Sequence, residues 1–253
     1  SYGATLSSID VSKAKAMEGV VVVRDGDFVG CAAPTSFRAA QALDALAKAA
    51  SWELAPHPSS KELWAHLKEH ASGGRPSTRG SVEEGLAAAD KTLSAEYHVA
   101  YVQHAAMEPG AAVAEWNDDR LTVWVGSRGP FGVRSRLTEA FGIPRERVRV
   151  IVPDTGGGFG MKSGDDAAVE AARLAKAIGR PVSRRWTREE EFTWAYFRPA
   201  ALIEIQAGLD AKGSIVAWDF TNINSGRAAL ESPYDIPNAR ALYQRSDSPL
   251  RQG

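Results

Sequence analysis

From Val150 to Arg180 the chain reads VIVPDTGGGFGMKSGDDAAVEAARLAKAIGR. A β-branched run meets four glycines within five positions, then Lys162, then a helical pattern. Glycines carry no Cβ, so backbone N–H groups there can approach an anion or a polar edge. The following helix aims its positive end at the same place, and Lys162 adds a charge. The stretch therefore has the chemistry of a binding loop. Its competing reading is a tight strand-to-helix connection with no ligand. Two phosphate motifs share this layout, and neither fits. The P-loop needs a second glycine where Met161 stands. The dinucleotide fingerprint would place Ser163 at its third small position, and no acidic residue ends a suitably placed second strand downstream.

Other residues invite chemistry less strongly. Asp165 and Asp166 suggest a magnesium pair, but acidic residues in a first helical turn commonly complement the helix dipole. Glu108, before Pro109, suggests a base; a turn carboxylate bonded to backbone amides is the plainer reading. His66 and His70 have the i, i+4 spacing of a zinc pair without the glutamate of a metalloprotease helix, and read as a solvated face. TREEEF at 187–192 reads as a capped helix start, Thr187 being the cap and Glu190 standing three residues on. Trp186 and Trp194 read as core before they read as walls of a substrate channel.

The elements that must position these residues are mixed α and β. ATLSSID and the pair around Asp25-Gly26 read as strands, and Thr35 caps a helix over TSFRAAQALDALAKAA. A second helix, capped by Ser60, is expected over 59–70. Residues 71–81, ASGGRPSTRGS, are polar and aperiodic and read as a linker. Beyond them come a strand at LSAEYHVAYVQ and a hairpin across Asn117-Asp118-Asp119-Arg120. Pro130 opens a helix that Gly142 closes. RVRVIVP is a strand. A helix with Ser163 or Asp165 near its start runs to Gly179, and the strand PVSRRW follows. Two more strands flank DAKG. The order at 122–186 suggests βαβ units and the later pair an antiparallel part, so the fold class is α+β.

With 253 residues, 44% of them hydrophobic, the chain is long enough for a large globular core. A formal net charge of −1 gives no general attraction to nucleic acid or to an anionic membrane. No apolar run has transmembrane length. Cys31 is the sole cysteine, so a disulfide framework, a cysteine-held iron–sulfur cluster and a four-cysteine zinc site are excluded within this chain. Within FVGCAA it reads as a buried structural thiol. The abrupt ends read as those of an excised piece of a longer polypeptide.

GGGFGMK at 156–162 resembles the Gly-Gly-Gly-Phe-Gly-x-Lys signature of the molybdenum hydroxylases, the xanthine dehydrogenase and aldehyde oxidase family. QHAAMEPGAAVAEW at 103–116, the run from Ser127 to Gly160, and SPYDIPNAR with SDSPLRQG near the end resemble the same molybdopterin-binding subunit. Within the family the pattern is nearest the isoquinoline 1-oxidoreductase and aldehyde dehydrogenase type. Residues 1–70 resemble part of an α/β hammerhead domain. With 71–81 as linker, residues 82–253 then correspond to an incomplete, mixed-sheet first molybdopterin-binding domain.

The resemblance implies hydroxylation of an aldehyde or an N-heteroaromatic compound with oxygen from water, and a separate iron–sulfur electron-transfer subunit as partner. It implies a molybdopterin cofactor in a dinucleotide form, held by Gly157, Gly158, Phe159 and Gly160, by Gln103 (or its neighbour His104) and by Arg251. No catalytic residue and no metal ligand is assigned, because the family's catalytic glutamate belongs to a motif that this sequence does not contain. Ser163, where purine-oxidising members carry glutamate, argues against xanthine. The cage is shared with the remaining part of the large subunit, so this chain alone is expected to lack cofactor and to be inactive. The compartment is expected to be bacterial cytoplasm or periplasm. The reading from another class is a non-catalytic binding or interaction module.

Overall fold

The computed structural model describes residues 3–164 and 166–253. The first stretch holds β1 (Thr5–Ile9), α1 (Ser12–Lys15), β2 (Val21–Asp25), β3 (Phe28–Ala32), α2 (Ser36–Lys48) and β4 (Ala50–Glu53). Next come α3 (Leu63–Glu69), β5 (Ser77–Arg79), α4 (Val82–Ala87), β6 (Lys91–Val99) and the short β7 (Val102–Gln103). The middle contains β8 (Ala111–Asn117), β9 (Arg120–Val125), α5 (Pro130–Phe141), β10 (Val148–Ile151), α6 (Asp166–Ile178), β11 (Val182–Arg185) and α7 (Arg188–Trp194). The rest is β12 (Phe197–Arg198), β13 (Ala201–Leu209), β14 (Ile215–Ile223) and β15 (Asn238–Gln244). Among the described residues no helix is long and apolar enough to cross a membrane.

These elements form two compact units: Ser1–Pro56 with Gln103–Tyr196 and Gly253, and His57–Val102 with Phe197–Gln252. The first is built on a four-stranded sheet in the order β10-β9-β8-β11. Strand β9 alternates, sending Leu121, Val123 and Val125 inward opposite Trp116, Ala114 and Ala112 of β8. Helix α6 answers with Ala168, Ala171, Ala172 and Ala175, spaced three and four apart and each 0% exposed. Side chains that small let the helix lie close on the sheet; Val23, Val133, Leu137 and Leu174 complete the core. The β9–α5–β10 unit is parallel, as expected. Strand β11 instead joins the far edge, antiparallel to β8. Around it, α2 buries Ala42 and Leu46, with Thr35 Oγ1 accepting the Arg38 N–H as its cap.

The second unit is a five-stranded sheet in the order β5-β15-β14-β13-β6, in which β14 and β15 are parallel. Helix α3 buries Leu63 and Leu67 against Ala200, Leu202 and Ile223. It begins later than expected: Glu62, not Ser60, precedes it, and Glu62 instead accepts the Ser59 N–H. The polar stretch 71–81 contains β5, whose register is fixed by β15. Ser81 then caps α4, a helix that sequence reasoning missed.

Candidate functional site

The carboxyl ends of the parallel strands β9 and β10 open side by side, which is where open α/β sheets place their ligand crevices. From β10 the chain runs exposed through Val152–Gly156, half-buried at Gly157 and Gly158, exposed at Phe159 and buried at Gly160. A short 3-10 turn, Met161–Ser163, precedes α6. Asp165, named above as a cap and as half of an acidic pair, lies outside the described residues; Asp166 sits in the first turn of α6.

The loop needs its glycines chiefly because of this chain's own atoms. A Cβ on Gly156 would stand 2.7 Å from Glu108 Cβ, and one on Gly157 2.9 Å from the Phe159 ring. At Gly160 it would stand 2.6 Å from both the Gly253 carbonyl oxygen and His104 Nε2, at a φ of +116°. Gly158 differs, since a Cβ there makes only an ordinary 3.5 Å contact with Lys162. Gly157 (φ +88°) and Phe159 (φ +53°) are both left-handed, with Gly158 between them. Among the described residues, the Gly158 and Phe159 N–H groups meet no acceptor, and the Phe159 ring is 76% exposed.

Lys162 does not face a ligand as an open charge. Its side chain is 7% exposed and its ammonium donates to Glu108 Oε2. The same carboxylate accepts the Gly156 N–H at 3.2 Å, and the Glu108 N–H donates to the Gly156 carbonyl. Glu108 is thus a structural turn carboxylate that staples the loop. The hydrogen bond from Lys162 holds its pKa below the usual 4.5, the Gly156 N–H helps, and desolvation opposes them.

The segment that carries Glu108 begins at Gln103. The Gln103 amide is engaged at both ends: Nε2 donates to the Glu191 carbonyl at 2.8 Å, and Oε1 accepts the His104 N–H at 2.6 Å. Ala105 turns the chain at φ +48°. His104 Nδ1 lies 3.1 Å from the Tyr196 carbonyl. Helix α7 backs the segment with a complete capping box between Thr187 and Glu190. Thr187→Ala is expected to lower the unfolding free energy by about 1 kcal/mol, read by urea denaturation, because it strands an N-terminal amide; an unchanged midpoint would show the box to be idle.

Arg188 donates to Glu191 Oε2 and, through Nη2, to the Met107 carbonyl at 3.2 Å. Glu191 is fully buried and its Oε1 has no partner among the described residues. Burial pushes its carboxyl up, against the pull of Arg188 and Lys162. Below the loop a cavity of about 40 Å³, lined by Gly126, Met161, Lys162, Gly164, Trp186 and Tyr196, has room for one water. Arg251 belongs to the second unit, where its carbonyl accepts the Phe197 N–H at 2.9 Å. The expected residues Gln103, Gly157, Gly158, Phe159 and Gly160 therefore fall in one unit and Arg251 in the other. Sequence reasoning missed Arg188, Glu191 and Tyr196. The TREEEF frame alone could have placed Arg188 and Glu191 three apart on one helical face.

The molybdopterin cofactor-binding domain family matches residues 66–246, and the chain belongs to that family. It is 33% identical over 227 residues to a nicotinate dehydrogenase subunit of Pseudomonas putida, a match covering 86% of this chain and 18% of that protein. It is 32% identical over 178 residues to a probable xanthine dehydrogenase subunit of Bacillus subtilis, covering 64% of this chain and 24% of that one. The aldehyde oxidoreductase molybdenum-binding subunit PaoC of Escherichia coli K12 is 34% identical over 140 residues, 54% of this chain and 19% of that subunit. The chain thus spans about a quarter or less of the length of these relatives. Quinoline 2-oxidoreductase from Pseudomonas putida 86 shares the fold, with a TM-score of 0.79 at 20% identity over 98% of this chain and 40% of that one. Aldehyde oxidoreductase from Desulfovibrio gigas also shares it, with a TM-score of 0.79 at 20% identity over 99% of this chain and 34% of that one.

Proposed function

We propose that the full-length protein is a molybdopterin-dependent oxidoreductase that hydroxylates an aldehyde or an N-heteroaromatic compound with oxygen from water. In this reading the chain supplies one side of the cofactor cage, and the electrons leave through an iron–sulfur partner subunit. The observation that carries it is the pair of N–H groups at Gly158 and Phe159 that meet no acceptor among the described residues, on a loop stapled by Glu108. Such amides suit the phosphate oxygens or the anionic dithiolene sulfurs of a pterin cofactor, so the residues present fit the cofactor. When bound, the group supplies the two-electron redox chemistry.

The chain's own residues bind and orient. Gly157 and Gly160 shape the loop that presents the Gly158 and Phe159 amides, and Glu108 with Lys162 fixes its position. Gln103 holds its amide at a set angle on the adjoining segment. Arg251 is proposed as a further cofactor contact. The dinucleotide form of the pterin belongs to the same proposal.

Metal analysis of the full-length protein is expected to give one molybdenum per chain, and turnover in ¹⁸O-labelled water is expected to place label in the product. Phe159→Ala should reduce molybdenum retention several-fold while shifting stability by no more than about 0.5 kcal/mol, since an exposed ring contributes little to the fold. Label arriving from dioxygen, with ¹⁸O₂ as the source, would overturn hydroxylation with oxygen from water. Full molybdenum in the Phe159→Ala protein would remove the ring, though not the N–H, of that residue from the cage.

A further inference from the structure

We propose that the Arg188–Glu191 pair is a clamp that sets the position of residues 103–108 against the glycine loop, with Glu191 as a positioning residue. Its consequence for catalysis rests on the molybdopterin reading above. One turn of α7 touches both ends of the segment. The Glu191 backbone carbonyl accepts Gln103 Nε2 at 2.8 Å, and Arg188 Nη2 reaches the Met107 carbonyl at 3.2 Å. Between these anchors Ala105 is left-handed and the Met107 side chain is 87% exposed, while Ala106 is buried against Met161, Ala195 and Trp186.

The guanidinium is planar and its donors are fixed in a fork. A carboxylate gripping Nη1 therefore dictates where Nη2 points. Met107 is followed directly by Glu108, the residue that staples Gly156 and Lys162. A shift of Arg188 would therefore move Met107, then Glu108, then the amides of the loop. Glu191 is poorly suited to be mere filler. It is a fully buried carboxyl with one oxygen left without a partner among the described residues, a costly choice where an apolar side chain would pack. Arg188 also lies over the Phe192 ring, 5.8 Å from its centroid, which limits the other directions the fork can take.

Hydrogen exchange read by mass spectrometry on this 253-residue chain tests the clamp. Glu191→Gln keeps the volume and the backbone carbonyl but removes the charge that orients Arg188. Exchange at the hydrogen-bonded amides of Glu108, Gly156 and Gly157 is expected to rise about tenfold or more, with β8 and β9 exchanging as in the wild type. Arg188→Met should reproduce this, and the double variant should add nothing beyond either single change. A uniform rise across the unit would show that the pair serves only global stability, and unchanged exchange would show that no clamp exists; either overturns the proposal.

In the full-length protein Glu191→Gln is expected to keep most of its molybdenum and lose about tenfold in kcat with KM nearly unchanged, because a small shift of Met107, Glu108 and the loop amides affects the reacting geometry more than substrate capture. Unchanged kcat overturns the positioning role. A full-length wild type without molybdenum overturns the cofactor reading instead, and the exchange data then judge the clamp by themselves.

Discussion

Gly160→Val is expected to lower the unfolding free energy of this chain by about 3 kcal/mol or more, whether or not a cofactor is present. Gly160 has φ +116° and ψ −29°, a conformation that a β-branched residue reaches only with strain. Its new Cβ would stand 2.6 Å from the Gly253 carbonyl oxygen and from His104 Nε2, and neither backbone nor a ring held by the Tyr196 carbonyl yields cheaply. This glycine therefore serves the protein before it serves any ligand, and the substitution is a poor probe of binding. Urea unfolding decides the matter. A Gly160→Val chain within about 1 kcal/mol of wild type would mean that the loop relaxes without penalty, and the crowding argument would fall.

The second large effect is an asymmetry between two partners. Glu108→Ala strands the Lys162 ammonium at 7% exposure, whereas Lys162→Met strands a carboxylate whose side chain is 39% exposed and can turn to water. Removing one member of a buried pair is costly because an uncompensated charge stays inside. Glu108→Ala is therefore expected to cost about 3 kcal/mol and Lys162→Met about 1 kcal/mol. Equal losses would refute the burial argument.

The pair also predicts a pH dependence. The folded-state pKa of Glu108 lies below its ordinary 4.5, so its contribution is complete above pH 4.5 and is lost as pH falls through the lowered value. The deficit of Glu108→Ala relative to wild type should shrink in that acid range. Glu191 acts with the opposite sign: burial raises its pKa, so its contribution is present below 4.5 and is lost as pH rises through the raised value. The difference between wild type and Glu108→Ala, rather than the wild-type curve alone, isolates the staple.

Much of this molecule is decided by local sequence. Thr35 and Thr187 are the caps that their spacing announces, Gly142 and Gly179 end helices at φ +61° and +63°, and the turns at Gly26 and Asp118 reverse the chain where expected. Each depends on a side chain or a dihedral within a few residues, so a window of sequence contains its cause. The family signature at 156–162 was legible for the same reason, being one continuous string.

What the tertiary structure decided is everything that joins distant strings. The polar stretch 71–81 carries no alternation of its own, and β5 exists because β15 offers it a partner. Strand β11 crosses to the far edge of its sheet because β8 has a free ladder there, which no periodicity encodes. Glu108 and Lys162 stand 54 positions apart, and Gln103 and Glu191 88 apart. Sequence offered each of them as a lone charge or amide, and only packing brings a carboxylate to a buried ammonium. For the glycines, the sequence showed that side chains were unwelcome, and only the fold showed that Glu108, Phe159, His104 and Gly253 occupy the space.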